Sequence, residues 1–250
     1  MAGHSHWAGI KHKKALVDNK RGRLWSKLSK AIIVAAKMGG ADTSVNVRLR
    51  TAIADARAVS MPKDNIQRAI KKGTGELDGS DFEEIIYEGY GPGGVAIMCD
   101  ILTDNRNRTA PEVRKLFETN DGKLGATNCV AYLFERKGLF LIDAAGASEE
   151  QLMEIVLEAG GDDIVEAGDN FEVTCEPENY SSVSDALEEA EIEPVSKQVT
   201  RIPNNTVDLA IDDARKVLKL LEALDDHDDV QNVSANFNIS DEAMAALAEE

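Results

Sequence analysis

The sequence predicts an α+β protein of several domains, with an N-terminal three-helix domain followed by two α+β domains of the ferredoxin-like type, one inserted in the other. Three observations predict this fold class. Apolar residues recur at helical spacing between residues 21 and 73, whereas short segments rich in β-forming residues alternate with helical patterns afterwards. The balance of charge changes sign at the same place. The chain has 250 residues, 43% of them hydrophobic, which is enough to bury more than one core.

The first predicted domain covers residues 1–77. Residues 1–20 show little periodicity and carry several cations, so we expect a flexible basic arm. Gly39 and Gly40 end the first apolar stripe, and Pro62 suits the first turn of the last helix. The predicted helices cover residues 21–38, 45–59 and 62–73.

The second predicted domain begins with a hairpin. Two segments rich in β-forming residues lie on either side of Gly89–Gly94, which we interpret as a tight turn. A polar loop over 103–109 then leads into a helix with Thr109 as its N-cap. The predicted elements are strands over 82–87 and 95–101, a helix over 109–119 and a strand over 130–134.

Residues 139–202 contain a complete βαββαβ pattern, the element order of a ferredoxin-like domain. A helix over 208–224 and a strand over 230–239 follow it without a partner of their own. Because the preceding ββαβ segment lacks a closing helix and strand, we expect residues 78–138 and 203–250 to form one domain around the insertion. The predicted elements of the insertion are strand 139–142, helix 148–159 capped by Ser148, strands 164–166 and 171–175, helix 182–190 and strand 195–202.

The net charge of −17 conceals two regions of opposite sign. Residues 1–75 contain 16 Lys and Arg against 4 Asp and Glu, whereas the rest of the chain contains 12 against 41. Such asymmetry is typical of a chain whose basic end binds a polyanion, although a solvated charged face is the alternative. Trp7 and Trp25 lie among the cations and can stack on unpaired bases, although Trp25 also suits a helical core. We expect nucleic acid to contact His4, Lys11, His12, Lys13, Lys14, Lys20, Arg21, Arg23, Lys27 and Lys30.

A second polar cluster lies in the loop over 103–109. Its four central residues can donate hydrogen bonds to phosphates or base edges. The alternative is a loop that only caps the following helix through Thr109, and the two roles are compatible. The nucleic-acid-binding residues expected here are Asn105, Arg106, Asn107 and Arg108.

Two motifs suggest cofactors but lack the required context. Gly89–Gly94 matches G-x-G-x-x-G, yet dinucleotide binding needs a helix after the glycines, and here a strand is predicted. His4, His6 and His12 lie close together, but a zinc site needs further ligands in a fixed frame. We therefore expect neither a cofactor nor a metal.

Other classes of protein are excluded by what the sequence lacks. Its three cysteines are far apart and form no CxxC pair, which argues against a disulfide scaffold and a zinc site. No apolar run approaches the ~20 residues of a membrane helix, and no signal peptide pattern is present. No catalytic motif is found, and acid pairs such as Asp225–Asp226 are interpreted as solvated. We expect a cytoplasmic protein that is not an enzyme.

Eight short stretches of the first 140 residues follow one another in order along the chain: MAGHS at 1–5, KHKK at 11–14, KRG at 20–22, MPKDNI at 61–66, RAIKKG at 68–73, YEGYGPGG at 87–94, TDNRNRT at 103–109 and FERKG at 134–138. Together these stretches resemble the YebC family. The sequence departs from the family pattern at His6, where lysine is expected, at Gly9, where asparagine is expected, and at Asn128-Cys129 in place of Gly-Ser. The C-terminal 110 residues match in pattern only.

The resemblance implies one helical and two α+β domains and a role in gene expression. Family members are described as transcriptional regulators that bind DNA, mitochondrial relatives resemble translational activators, and some bacterial relatives resemble ribosome-associated factors that relieve stalling at proline-rich sequences. We favour a translation factor that binds rRNA or tRNA on the ribosome, because a basic arm and a distant loop suit a large irregular surface. The alternative is a DNA-binding transcriptional regulator, which suits the basic three-helix domain. With either function, we expect the protein to act as a monomer that binds no membrane and no small-molecule substrate.

Overall fold

Helices begin the described chain, and two four-stranded antiparallel sheets follow. The computed structural model describes residues 21–79, 81–240 and 243, so the predicted arm lies outside the described residues. The predicted fold class, an α+β protein that begins with helices, is confirmed. Within the described ranges, every helix is too short or too polar to span a bilayer.

The N-terminal helices are α1 (Arg21–Gly39), α2 (Val47–Ala58) and α3 (Lys63–Gly73). Buried Asn46 joins the end of α1 to the start of α2: its Oδ1 accepts from the Leu49 amide at 3.0 Å, and its Nδ2 donates to the Ala35 carbonyl at 2.8 Å. Trp25 packs against the apolar core of this cluster and donates from Nε1 to the Val59 carbonyl at 3.2 Å. The indole of Trp25 is therefore part of the helical core.

The first sheet has the strand order β3-β1-β2-β9, with α4 (Arg106–Thr119) and α7 (Ile211–Asp225) contributing to its core. Strands from both ends of the chain meet in it, because β9 pairs with β2. The strand predicted over 230–239 is interrupted at Asn236, whose Oδ1 accepts from the Ala96 amide at 2.7 Å. The four strands are β1 (Glu83–Tyr90), β2 (Ala96–Thr103), β3 (Lys123–Leu124) and β9 (Val230–Ala235), while β8 (Val207–Asp208) and β10 (Phe237–Asn238) pair separately in parallel.

The second sheet contains the βαββαβ unit, in the order β5-β6-β4-β7. Its helices α5 (Glu149–Glu158) and α6 (Tyr180–Glu189) share one core with it. The predicted cap is confirmed, since Ser148 Oγ accepts from the Gln151 amide at 3.3 Å. The strands are β4 (Phe134–Asp143), β5 (Gly161–Ala167), β6 (Asn170–Cys175) and β7 (Ser196–Pro203).

The strand predicted over 130–134 is wrong, because a buried carboxylate organises this segment. Glu88 is 3% exposed and accepts hydrogen bonds from the amides of Asn128, Val130 and Ala131 at 2.7, 2.8 and 2.9 Å. Three amides that converge on one side chain cannot also serve a strand ladder. The segment therefore forms a 3₁₀ turn over Ala131–Leu133, and β4 begins at Phe134.

The predicted turn between β1 and β2 contains two glycines with positive φ. Gly93 has φ 68° and Gly94 has φ 78°. A Cβ atom at Gly93 would lie 2.8 Å from Leu209 Cδ2, whereas one at Gly94 would meet no atom within 4 Å. At Gly94, therefore, only the positive φ favours glycine, because a side chain would have room there.

We expect Gly94→Val to lower the free energy of unfolding by about 1–3 kcal/mol, because a β-branched residue disfavours positive φ. Gly94→Asn is the matched control, since asparagine tolerates this conformation, and its effect is expected to be smaller. Urea unfolding measures both. Equal stability of the valine variant and the wild type would contradict the strained turn.

Candidate nucleic-acid interface

The two predicted binding clusters meet at one buried carboxylate, that of Asp229 in the turn between α7 and β9. Its side chain is 3% exposed. Lys30 of α1 donates to Oδ1 at 2.6 Å, and Arg108 of α4 donates to Oδ2 at 2.7 Å. The hydroxyls of Thr109 and Thr103 lie 2.7 and 3.2 Å from Oδ2. Two distant segments of the chain, α1 and residues 103–109, thus share one acceptor in a third segment, and we call this set the Asp229 junction.

The charges of the junction stabilise each other. Burial by itself would raise the pKa of Asp229, but hydrogen bonds from Lys30, Thr109 and Arg108 outweigh it and hold that pKa well below its usual range. The bond to Asp229 also raises the pKa of Arg108. Asp229 and Arg108 therefore both stay charged at neutral pH.

Two of the predicted binding residues on α1, Lys27 and Lys30, point toward the acidic part of the chain. Lys27 donates from Nζ to the Asp225 carbonyl oxygen and lies 3.8 Å from Asp225 Oδ1. The side chains of Lys27 and Lys30 are only 12% and 14% exposed. The interpretation of Asp225–Asp226 as a solvated pair is wrong for Asp225, whose side chain is 23% exposed and packs beside Lys27.

The polar loop before α4 divides its residues between structure and surface. Asn105, not Thr109, is the N-cap, since its Oδ1 accepts from the Arg108 amide at 3.1 Å. Thr109 is buried inside the helix, where its hydroxyl serves the Asp229 junction, and this is why the predicted cap is wrong. Arg106 and Asn107 are exposed. Arg106 lies beside Tyr87, whose pKa is raised by burial and lowered in part by this cation.

The remaining predicted residues fall in two groups. Arg21 begins α1, and Arg23 is exposed in the first turn of the helix. A further set lies outside the described residues: His4, Lys11, His12, Lys13, Lys14 and Lys20. Among the residues described, no group of three or more His, Cys, Asp and Glu side chains could hold a metal ion.

Lys30 and Arg108 occupy one region rather than two. An α-helix rises about 1.5 Å per residue, so the start of α1, where the predicted arm joins, lies ~14 Å along the helix from Lys30. The loop that carries Arg106 and Asn107 adjoins Lys30 through Asp229. Lys30, Arg108 and the polar loop therefore form one composite surface around Asp229.

Sequence reasoning missed the residue that joins these segments. Asp229 follows a run of acidic residues, and no pattern distinguishes it from its exposed neighbour Asp228. Sequence reasoning also left α3 out of the predicted interface, although Lys63, Arg68 and Lys71 of this helix are exposed. Only the position of each side chain relative to other segments reveals these roles.

A large cleft lies between the N-terminal helices and the second sheet, with a volume of about 1890 Å³. Its walls carry both signs of charge, which does not suit a polyanion. Asp55 of α2 lies in it near Lys197; burial raises the pKa of Asp55 to about 6, and the charge of Lys197 partly offsets this. Arg50 of α2 donates a hydrogen bond to Ser181 Oγ at 3.2 Å.

Comparisons with known families cover nearly the same residues as the structure. The model described as the TACO1/YebC protein N-terminal domain matches residues 5–76. The model described as the TACO1/YebC second and third domain matches residues 82–237. Together the two matches account for both the helices and the two sheets.

Similar proteins span the same length. A "Probable transcriptional regulatory protein" of Rhodopirellula baltica is 59% identical over 246 residues, covering 98% of this chain and 100% of the relative. A protein of the same name from Natranaerobius thermophilus is 57% identical, covering 98% and 99%. The crystal structure of a conserved hypothetical protein from Aquifex aeolicus superposes with a TM-score of 0.85 at 50% identity, covering 94% of this chain and 98% of that one.

We expect Asp229→Asn to lower the free energy of unfolding by about 3 kcal/mol, because it leaves the mostly buried ammonium of Lys30 without its counter-charge and weakens the pairing of Arg108. The exposed neighbour provides the control, since Asp228→Asn should change stability by less than about 0.5 kcal/mol. A depressed carboxyl pKa stabilises the fold above the unfolded pKa of about 3.9. The difference in free energy of unfolding between wild type and Asp229→Asn, measured with urea, should stay constant from about pH 5 to about pH 8 and shrink below about pH 4. Equal effects of the two variants would contradict the junction.

Asp55 should give the opposite dependence on pH. Its pKa is raised in the folded protein, so folding retains a proton that the unfolded chain releases, and stability falls as pH rises from about 4 to about 6. Asp55→Asn should remove this loss and be more stable than wild type at pH 7 by about 1–3 kcal/mol. Urea unfolding from pH 4 to 8 measures it, with exposed Asp185→Asn as the control. Equal stability of wild type and Asp55→Asn at pH 7 would contradict a raised pKa of Asp55 in the folded protein.

Proposed function

The chain belongs to the TACO1/YebC family, and we propose that it is a nucleic-acid-binding regulator of gene expression that acts as a translation factor on the RNA of the ribosome. One observation carries the proposal: the Asp229 junction joins Lys30 of the basic N-terminal region to Arg108 of the polar loop. The resulting surface is assembled from segments far apart in the chain. Such a surface suits a large folded RNA, which is recognised mainly by its shape and backbone.

The orientation of α1 supports RNA over insertion of this helix into a DNA groove. A helix that reads the major groove presents its side chains free of the rest of the protein. The side chains of Lys27 and Lys30 instead contact Asp225 and Asp229. In this proposal α1 positions the basic arm, whose cations contact phosphates and release counterions, while the exposed Arg106 and Asn107 provide a second point of attachment.

The proposed role is binding rather than catalysis. The resemblance implies two effects of such binding, relief of stalled translation and translational activation. Neither requires a covalent step by this chain, since a protein that occupies ribosomal RNA or tRNA can change which conformation of the complex is populated.

We also propose a division of the chain into domains that matches these roles. The basic helical domain covers residues 1–77, the middle domain residues 78–138 and 203–250, and the inserted ferredoxin-like domain residues 139–202. Pairing of β9 with β2 and the separate core of the βαββαβ unit support this division.

A DNA-binding transcriptional regulator is the second candidate function. The names of the similar proteins favour it, since those from Rhodopirellula baltica and Natranaerobius thermophilus are called probable transcriptional regulatory proteins. A regulator of this kind would bind duplex DNA with an affinity that does not depend on the polar loop. The two candidates therefore differ in what they require of Arg106 and Asn107.

We expect Arg106→Ala/Asn107→Ala to reduce co-sedimentation with ribosomes about tenfold, because a hydrogen bond to a charged group contributes about 1.5–3 kcal/mol. Binding to a short DNA duplex should change little. Both side chains are exposed, so the fold should be unaffected. Arg108 is left intact because its loss would disturb the Asp229 junction.

Arg114→Ala is the matched control, since it removes one exposed cation from the same helix at a distance from the loop. It should sediment with ribosomes like wild type. Equal ribosome association of the double variant and the control, or none by any of them, would favour the DNA-binding regulator instead.

A further inference from the structure

Helix α3 has one face held against α1 and another turned outward. Ile66, Ala69 and Ile70 are buried in the N-terminal core. At its end the helix comes so close to α1 that a Cβ atom on Gly73 would meet the Ile33 carbonyl oxygen and lie 2.6 Å from Ala36 Cβ. This packing determines which side chains of α3 face away from the protein.

The outward face is basic. Lys63, Gln67 and Lys71 follow at intervals of four residues, and Arg68 and Lys72 lie beside them; all five are exposed. The acid on this helix, Asp64, lies in its first turn, where it stabilises the positive end of the helix dipole. Intervals of four residues place side chains along one side of a helix, so this stripe is ~12 Å long.

The cations of this stripe differ from several cations of the other N-terminal helices, which are paired with acidic groups. On α1, Lys27, Lys30 and Lys37 each contact an aspartate, and on α2 Arg48 pairs with Glu84. By contrast, the four cations of α3 form no ion pair and no side-chain hydrogen bond with any residue in the described ranges. Their charge is therefore available to a partner.

We propose that the outward face of α3 is a phosphate-binding surface, and that its occupant is the backbone of an RNA helix. The inference rests on the proposed function and deepens it. A double helix carries its phosphates at a spacing much shorter than the stripe, so several phosphates face the four cations at once. Gln67, at the centre of the stripe, adds a neutral donor. The binding region then extends from the composite surface at the Asp229 junction to α3.

A merely solvated face would carry the same residues, and Lys71 and Lys72 also stabilise the C-terminal end of the helix dipole. The two roles predict different dependence on salt. Phosphate contacts release counterions from the RNA, so the affinity falls steeply as salt rises, whereas a solvated face contributes nothing to that slope.

The test compares two variants of the full chain with the same change in net charge. The first is Lys63→Gln/Arg68→Gln/Lys71→Gln/Lys72→Gln, in which glutamine preserves helix propensity. The control is Lys115→Gln/Lys123→Gln/Lys216→Gln/Lys219→Gln, which removes four exposed lysines elsewhere. Binding to an RNA hairpin is measured at salt concentrations from about 50 to about 300 mM, a range wide enough to define a slope. Circular dichroism checks that each variant is folded.

We expect the α3 variant to weaken hairpin binding about tenfold or more at the lowest salt and to flatten the slope of log affinity against log salt by about 3, because each contact contributes roughly 0.7–0.9. The control should keep the wild-type slope. Lys71→Gln/Lys72→Gln should show about half of the effect, and Lys71→Arg/Lys72→Arg should retain binding. This pair of double variants also keeps the test valid if the fourfold variant fails to fold.

Wild-type binding with equal slopes for the α3 variant and the control would overturn the α3 surface and leave the proposed function standing. Absence of hairpin binding by the wild type would overturn both. Loss of binding by the α3 variant with normal ribosome association would also refute the inference, because the surface would then play no part in the proposed function.

Discussion

The position of the N-terminal helices depends on one buried carboxylate. A charge removed from water is costly unless it is paired and hydrogen-bonded, and Asp229 is almost completely buried. Its donors come from α1, from the end of β2 and from the start of α4. Each segment must therefore occupy its place for the others to be stable. Contacts of Lys27 with Asp225 and of Lys37 with Asp81 extend the same attachment along α1.

This junction divides the cations of the basic region between two tasks. Lys27, Lys30 and Arg108 have the composition of a nucleic-acid site, yet they neutralise acidic residues of the same chain. Arg106 and the outward face of α3 are exposed, and in the proposed function their charge binds the partner. An acidic body is thus compatible with binding a polyanion, since part of its negative charge holds the basic helices in position and the remaining cations face outward.

Local patterns predicted most of the elements. The βαββαβ unit was recognisable because each segment has a periodicity of its own, and Ser148 marks the start of α5 as expected. The errors arise where a distant side chain competes with local preference. Glu88 draws three amides into a turn where a strand was predicted, Asn236 interrupts the last strand by bonding to Ala96, and Asp229 takes the hydroxyl of Thr109. Such competition depends on contacts across tens of residues.

The amino-acid sequence by itself determined the fold class, the split of charge between the two regions and the motifs that place the chain in its family, because all three are properties of residues in order along the chain. Only the tertiary structure decided which cations are free. Lys30 and Lys71 look alike in sequence, each a lysine on an amphipathic helix. One lies 2.6 Å from Asp229 and the other is exposed on α3. The difference arises because the availability of a charge depends on which acidic group folding brings beside it, and that group can be nearly 200 residues away.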